Sequence, residues 1–240
     1  MNKRKKVGVI VAMEVEMESI RAAMEAPRKT SIAGMDFYEG KVDGISVIAA
    51  RCGVGKVCAA MCAQTMILKF SPDEIIGAGI AGALKGLAIG GVAIADRLYQ
   101  HDYDVRAFGY PAGYIPAVKQ AALGCTDSIR DALIKTAQGL LMPYATGAIV
   151  SGDSFISSDA QKEKILQDFP DAIACEMEGA AIAQVCVLNQ TPFCVIRCIS
   201  DNGDASSKED YPANERAASH GSAAMVLNYI RSVAGNELQE

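Results

Sequence analysis

The 240-residue chain has only two histidines, no Cys-x-x-Cys pair, no G-x-S-x-G element, no stretch of linker composition and no internal repeat. So few histidines leave a structural zinc without ligands, although Cys58 and Cys62 could share a helix face. Serine-hydrolase chemistry has no foothold either, because neither His101 nor His220 has a nucleophile nearby in sequence. Lysine and arginine are spread out and outnumbered, 23 against 28 acidic residues, which gives a net charge of −5 and no basic stripe for nucleic acid. A long hydrophobic run is missing as well. The longest uncharged stretch, 179–196, is interrupted by Gln184, Asn189, Gln190, Thr191 and Pro192 and reads as helix, turn and strand, not as a membrane span.

At the start, Lys3, Arg4, Lys5 and Lys6 precede VGVIVAM, but Glu14 ends that run too early for a secretory signal and no small-residue cleavage site follows. Residues 1–5 are expected to be a disordered basic terminus ahead of a buried strand. Of the eight cysteines, Cys52, Cys58, Cys62, Cys175, Cys186, Cys194 and Cys198 sit in apolar surroundings and Cys125 in a loop. They read as reduced core residues of a cytoplasmic protein.

Half of the residues are apolar, enough for one large core, and a single domain over 1–240 is the simplest organisation. Short β-branched runs alternate with helical segments: KVGVIVA, helix 14–25; ISVIAARC, helix 56–70; EIIGAGI; VAIADRLY; TGAIVSGD, helix 159–168; AIACE, helix 178–189; PFCVIRCISD, helix 213–233. This is α/β alternation. Residues 30–50 instead predict two antiparallel strands around Gly40 and Asp43-Gly44.

Ligands of such sheets collect at strand ends, and four ends carry carboxylates: Glu14 and Glu16, Asp153, Glu176 and Glu178, and Asp201. Two glycine motifs nearby mislead. GAGIAG, 77–82, fits a dinucleotide fingerprint, but Gly86, Gly90 and Gly91 follow where a helix must open, so a tight turn beside a small ligand fits better. GVGKV, 53–57, lacks the upstream glycine and the Ser or Thr of a phosphate loop. In IACEMEGAAIA, Glu176 and Glu178 share a face if the segment is extended and diverge if it is helical; Glu176 can cap the following helix, and an ionised Glu178 could accept two hydroxyls of a sugar diol. Asp201 by composition alone caps the turn DNGD.

Taken together, GVIVAMEVEME at 8–18, RCGVGKV at 51–57, VSGDSFI at 150–156, ACEMEGAAIA at 174–183 and VIRCISD at 195–201 resemble the bacterial 5'-methylthioadenosine/S-adenosylhomocysteine nucleosidases, in order and spacing, from about residue 7 to the last helix. The resemblance implies a nucleoside phosphorylase-like fold, three-layer α/β/α with a mixed, partly barrel-like sheet. It implies hydrolysis of the adenine N-glycosidic bond of methylthioadenosine, S-adenosylhomocysteine and 5'-deoxyadenosine in methionine salvage, with no cofactor, metal, nucleic acid or membrane. By the same resemblance Asp201, beside Ser200, protonates adenine N7, Glu16 activates water, and Glu178 binds the ribose hydroxyls with Met177 packing on the sugar. Phe155 stacks on adenine, the Ile156 backbone meets the base edge, and Asp153 braces the loop. Arg197 lies near ribose and water, where a cation could hold Glu16 or Glu178 ionised, a plain structural ion pair being the other reading, while Met13, Val54, Ala81 and Gly82 line the pocket. Segment 101–116 crosses a homodimer interface, where Phe108 and Pro116 line the neighbour's alkylthio pocket. Ile80 departs from the family's Gly-Ser-Ala-Gly turn. The alternatives are a futalosine-type hydrolase and a purine nucleoside phosphorylase. From other classes come a dinucleotide oxidoreductase and a non-catalytic nucleoside-binding protein.

Overall fold

The computed structural model describes residues 5–237. Its first strand, β1 (Lys6–Val11), is buried from Val7 onward and lies parallel between β4 (Ile45–Arg51) and β5 (Glu74–Gly77). On the β4 side, β2 (Glu25–Ile32) and β3 (Met35–Val42) complete an antiparallel meander. Three strands stand there, not two, because helix α1 (Glu14–Ala23) stops early and Glu25 already belongs to β2, an edge strand left in solvent.

The apolar run EIIGAGI was expected to be one strand and is two. The chain breaks at Ala78–Gly79, leaves β1 and resumes as β6 (Ile80–Ala83). The remaining strands are β7 (Val92–Gln100), the short β8 (Leu123–Gly124), β9 (Tyr144–Ser151), β10 (Ala172–Glu176) and β11 (Phe193–Asp201). All nine residues of β11 are buried, since its start pairs with β5 and its end with both β6 and β7. With order β11-β6-β10-β9-β7 and β7 returning to β11, five of the strands close into a barrel continuous with the open part of the sheet.

Helices α2 (Lys56–Phe70) and α5 (Gly179–Asn189) pack together on one face. On the other lie α1, α3 (Asp127–Gly139) and α6 (Ser207–Glu237), which makes the expected three layers. Helix α4 (Asp159–Asp168) closes the barrel flank through Ile165. No element was expected at α3, whose buried residues are only Ile129, Leu133, Thr136 and Ala137. Helix α6 begins at Ser207, ahead of the expected start at residue 213, and holds Pro212 within it.

Residues 1–4, most of the terminus expected to be disordered, lie outside the described residues. Lys5 departs from that expectation: it pairs with buried Glu74 at 2.5 Å, because a carboxylate 2% exposed needs a counter-charge. All eight cysteines are free, and burial pushes the Cys62 and Cys175 thiols up to about 12. Among the described residues no helix is long and apolar enough to cross a membrane, and no cluster of three or more His, Cys, Asp or Glu could hold a metal.

Candidate active site

A cavity of about 490 Å³ opens where β1, β10 and β11 end, a volume suited to a small ligand. Glu16, Glu176, Glu178 and Asp201 all line it. Glu14 does not. It sits half exposed, paired with Arg21 at 2.8 Å and Arg51 at 3.6 Å. Asp153 also stays outside, accepting from the Lys56 backbone at 2.8 Å while its own N–H donates to Asp102 at 2.9 Å, and so braces the loop after β9.

Glu16 stands in the first turn of α1 and folds back on the end of β1. Its Oε2 accepts from the Ala12 and Met13 amides at 2.8 and 2.9 Å, and its Oε1 from the Ile80 amide at 3.1 Å. Burial pushes its proton affinity up, while the Arg197 charge and these three donors pull it back. The carboxylate comes so close to the glycine turn that a Cβ on Gly79 would lie 2.6 Å from Oε1. Only glycine fits there.

Strand β10 ends at Glu176, and Glu178 is the N-cap residue of α5, so the two side chains part. Glu176 caps the helix, its Oε2 accepting from the amides of Glu178 at 3.0 Å and Gly179 at 2.7 Å. The same oxygen pairs with Arg197, and Oε1 takes the Ser151 hydroxyl. Glu178 has far less company: the Gly55 amide at 2.8 Å and Arg197 at 3.8 Å. Burial first, and then the neighbouring Glu176 charge, push its carboxyl up to about 7, against the pull of Arg197 and the Gly55 amide.

Arg197 stands close to Glu178, 3.8 Å away, and has Glu176 as its main partner. It lies 2% exposed beneath the cavity and is absent from its lining, held by Glu176 and donating to the Ile196 carbonyl at 3.1 Å. A buried Glu176 requires a buried cation, and Arg197 is that cation. It reaches Glu16 and Glu178 only through its charge.

Asp201 ends β11. Its Oδ1 accepts from the Gly203 amide at 2.9 Å and its Oδ2 lies 2.8 Å from the Ser200 hydroxyl. That hydroxyl has one hydrogen and a second acceptor, the Ala81 carbonyl, at 3.3 Å. A proton on Oδ2 is therefore tolerated, since the serine can turn its hydrogen to Ala81. A Cβ on Gly82 would lie 2.9 Å from Oδ1. Glu16 is thus anchored at Ile80 and Asp201 packs at Gly82, two positions that lie about 7 Å apart along β6.

Phe155, 44% exposed, stands at the mouth, edge-on to Tyr211 with ring centres 5.4 Å apart. Met13, Val54, Met177, Ser200, Ala81 and Gly82 line the main cavity, and Ile156 only a side recess of about 30 Å³. Ile80 packs with Met13 and Tyr211 into an apolar wall. Phe108, 79% exposed on a 3-10 turn (Arg106–Phe108), and exposed Pro116 do not line the cavity of their own chain. Ala12, Cys175, Glu176 and Tyr211 line it without having been expected. For Tyr211 the one signal is a lone aromatic in the polar run SKEDYPANER.

Comparison with known proteins identifies the family. The model of the phosphorylase superfamily matches residues 6–231. The chain is 41% identical over 237 residues to the 5'-methylthioadenosine/S-adenosylhomocysteine nucleosidase of Shewanella pealeana, covering 95% of this chain and 100% of that one. It is similar to the crystal structure of the Neisseria meningitidis nucleosidase of that name in complex with methylthio-immucillin-A, with a TM-score of 0.93 and 37% identity over 95% and 99% of the two chains. The futalosine hydrolase of Helicobacter pylori has a TM-score of 0.91 at 30% identity, over 95% and 98%.

Proposed function

The chain belongs to the phosphorylase superfamily, and from that premise we propose that it is a 5'-methylthioadenosine/S-adenosylhomocysteine nucleosidase, a hydrolase of the adenine N-glycosidic bond. One observation carries the mechanism: Glu16 and Asp201 share a cavity, set against two positions of one strand, with Glu178 on the same lining.

Adenine stacks on Phe155 with its edge at the Ile156 backbone, and the ribose hydroxyls donate to Glu178 over Met177. As the bond from C1' to N9 breaks, its electron pair goes to the base, and Asp201 gives its proton to N7. Water, oriented by Glu16, bonds to C1' and gives its proton to Glu16. Adenine and a 5-thioribose leave, with Asp201 ionised and Glu16 protonated. Burial makes Glu16 a stronger base than a free glutamate, and its amide donors favour the ionised form that must receive the proton. Transition-state charge on the sugar is met by carboxylates on both sides of the bond.

Water is favoured over phosphate as the nucleophile. Glu16 stands where phosphate would have to sit, and the nearby Arg197 is committed to Glu176. The higher identity to the methylthioadenosine enzymes favours that substrate class over futalosine. 5'-Deoxyadenosine fits the same apolar wall of Met13, Ile80 and Tyr211. The enzyme works in the cytoplasm, in methionine salvage, as a homodimer whose neighbouring Phe108 and Pro116 cover the alkylthio tail. Exposed Phe108, Val54 and Phe155, at 79%, 54% and 44%, are the apolar surface such a dimer would bury.

The test is adenine release from each nucleoside with and without phosphate. Release without phosphate, and a free reducing sugar, is expected. A requirement for phosphate, with a sugar phosphate as product, would reject hydrolysis.

A further inference from the structure

Helix α4 presents Ile165 to the core, yet Lys162, one turn earlier on the same face, is a cation. Its ammonium donates to the backbone carbonyls of Ala83 at 3.1 Å and Asn202 at 2.6 Å, with the Asp204 carboxylate at 4.0 Å. Ala83 ends β6, the strand against which Asp201 packs, and Asn202 is the residue after Asp201. One side chain therefore joins the two segments that hold the acid. The fit between them is already close, since a Cβ on Gly203 would lie 3.2 Å from the Ala83 oxygen. Gly203 in turn supplies the amide that fixes Asp201 Oδ1.

We propose that Lys162 is a positioning residue for Asp201, an inference that rests on the nucleosidase reading. The ammonium clamps the turn Asn202–Gly203 onto the end of β6, so that the Gly203 amide engages Oδ1 and leaves Oδ2, beside Ser200, to carry the proton. Helix α4 follows directly from the loop of Phe155 and Ile156. The same lysine thus keeps the stacking loop and the acid in one register. A misplaced acid is felt only when the proton moves, because adenine stacking and ribose binding use other residues.

The experiment compares adenine release from 5'-methylthioadenosine by the wild type, Lys162→Met, Lys162→Arg and Lys164→Met, alongside their melting temperatures. Lys162→Met is expected to lower kcat by about 10- to 100-fold, the penalty of a misplaced catalytic group, with KM little changed. Lys162→Arg, whose guanidinium still has donors for both carbonyls, should recover most of kcat. Lys164 is exposed, and its substitution should change neither constant. The clamp is overturned if Lys162→Met loses melting temperature while kcat holds, or if kcat and KM worsen together. If that variant does not fold, Lys162→Gln, which keeps an N–H donor but no charge, is judged by the same split. A wild type that releases no adenine would defeat the nucleosidase reading instead, whatever the variants do.

Discussion

Glu176 lines the cavity as Glu178 does, yet it meets a serine hydroxyl, two helix amides and an arginine, every one supplied by the chain itself from the cavity floor. On the cavity wall, Glu178 has one amide and an arginine 3.8 Å away. The residue type is the same and the positions are two apart. A buried carboxylate with all its partners inside the protein stabilises the fold, while one that keeps spare acceptor capacity toward an opening is held for a ligand. Glu16 and Asp201 belong with the wall, and Ser151 and Arg197 with the floor. If the division is right, wall substitutions cost turnover or binding and floor substitutions cost stability.

The largest effect is expected at Asp201. Asp201→Asn keeps the shape but has no acidic proton, so turnover should fall by about 10²- to 10⁴-fold while nucleoside still binds, as read by single-turnover kinetics and calorimetry. Retained turnover would remove the acid from the wall. Next comes the floor: Glu176→Gln leaves Arg197 buried beside a neutral partner and should lower unfolding free energy by about 3 kcal/mol in urea titrations. Normal stability in that variant would break the comparison.

Glu178→Gln should weaken nucleoside binding by roughly tenfold, the order of a lost charge-assisted hydrogen bond. It also carries a signature in pH. The unfolded chain releases this proton near 4.5 and the folded protein at about 7, so between those values the folded state binds more protons. Stability of the free protein from this group therefore falls as pH rises from 4.5 to about 7, and Glu178→Gln should flatten that slope. Binding runs the other way, since the diol needs the ionised form: affinity should rise with pH and level off above about 7. Calorimetric titration across that range checks both signs. The smallest effect belongs to Glu14, which is in neither group. Glu14→Gln breaks two exposed pairs and should change stability by no more than about 1 kcal/mol, with turnover intact.

Much of this was legible along the chain. The apolar runs gave β1, β4, β9, β10 and β11, and the motifs at their ends gave most of the cavity lining. What stayed hidden depended on partners remote in sequence. The break in EIIGAGI cannot be read from an unbroken apolar run, because it arises where β6 leaves β1 to join β11 and β10. Helix α3 is the exception, since its buried Ile129, Leu133, Thr136 and Ala137 recur at helical spacing, a local signal that was legible. The pairing of Arg197 with Glu176 was open as well, since no local pattern chooses between the carboxylates within its reach.

The sequence by itself determined that acidic residues would stand at the ends of apolar strands, because residue type and alternation are local properties of the chain. It also determined the glycines that let Glu16 and Asp201 approach β6. Only the tertiary structure decided which carboxylate is spent on the fold and which is free for a substrate. Glu176 finds Arg197 at a separation of 21 residues and Glu178 finds the Gly55 amide at 123. The free energy of a buried charge is set by the dipoles and counter-charges around it, and those come together only when the barrel closes.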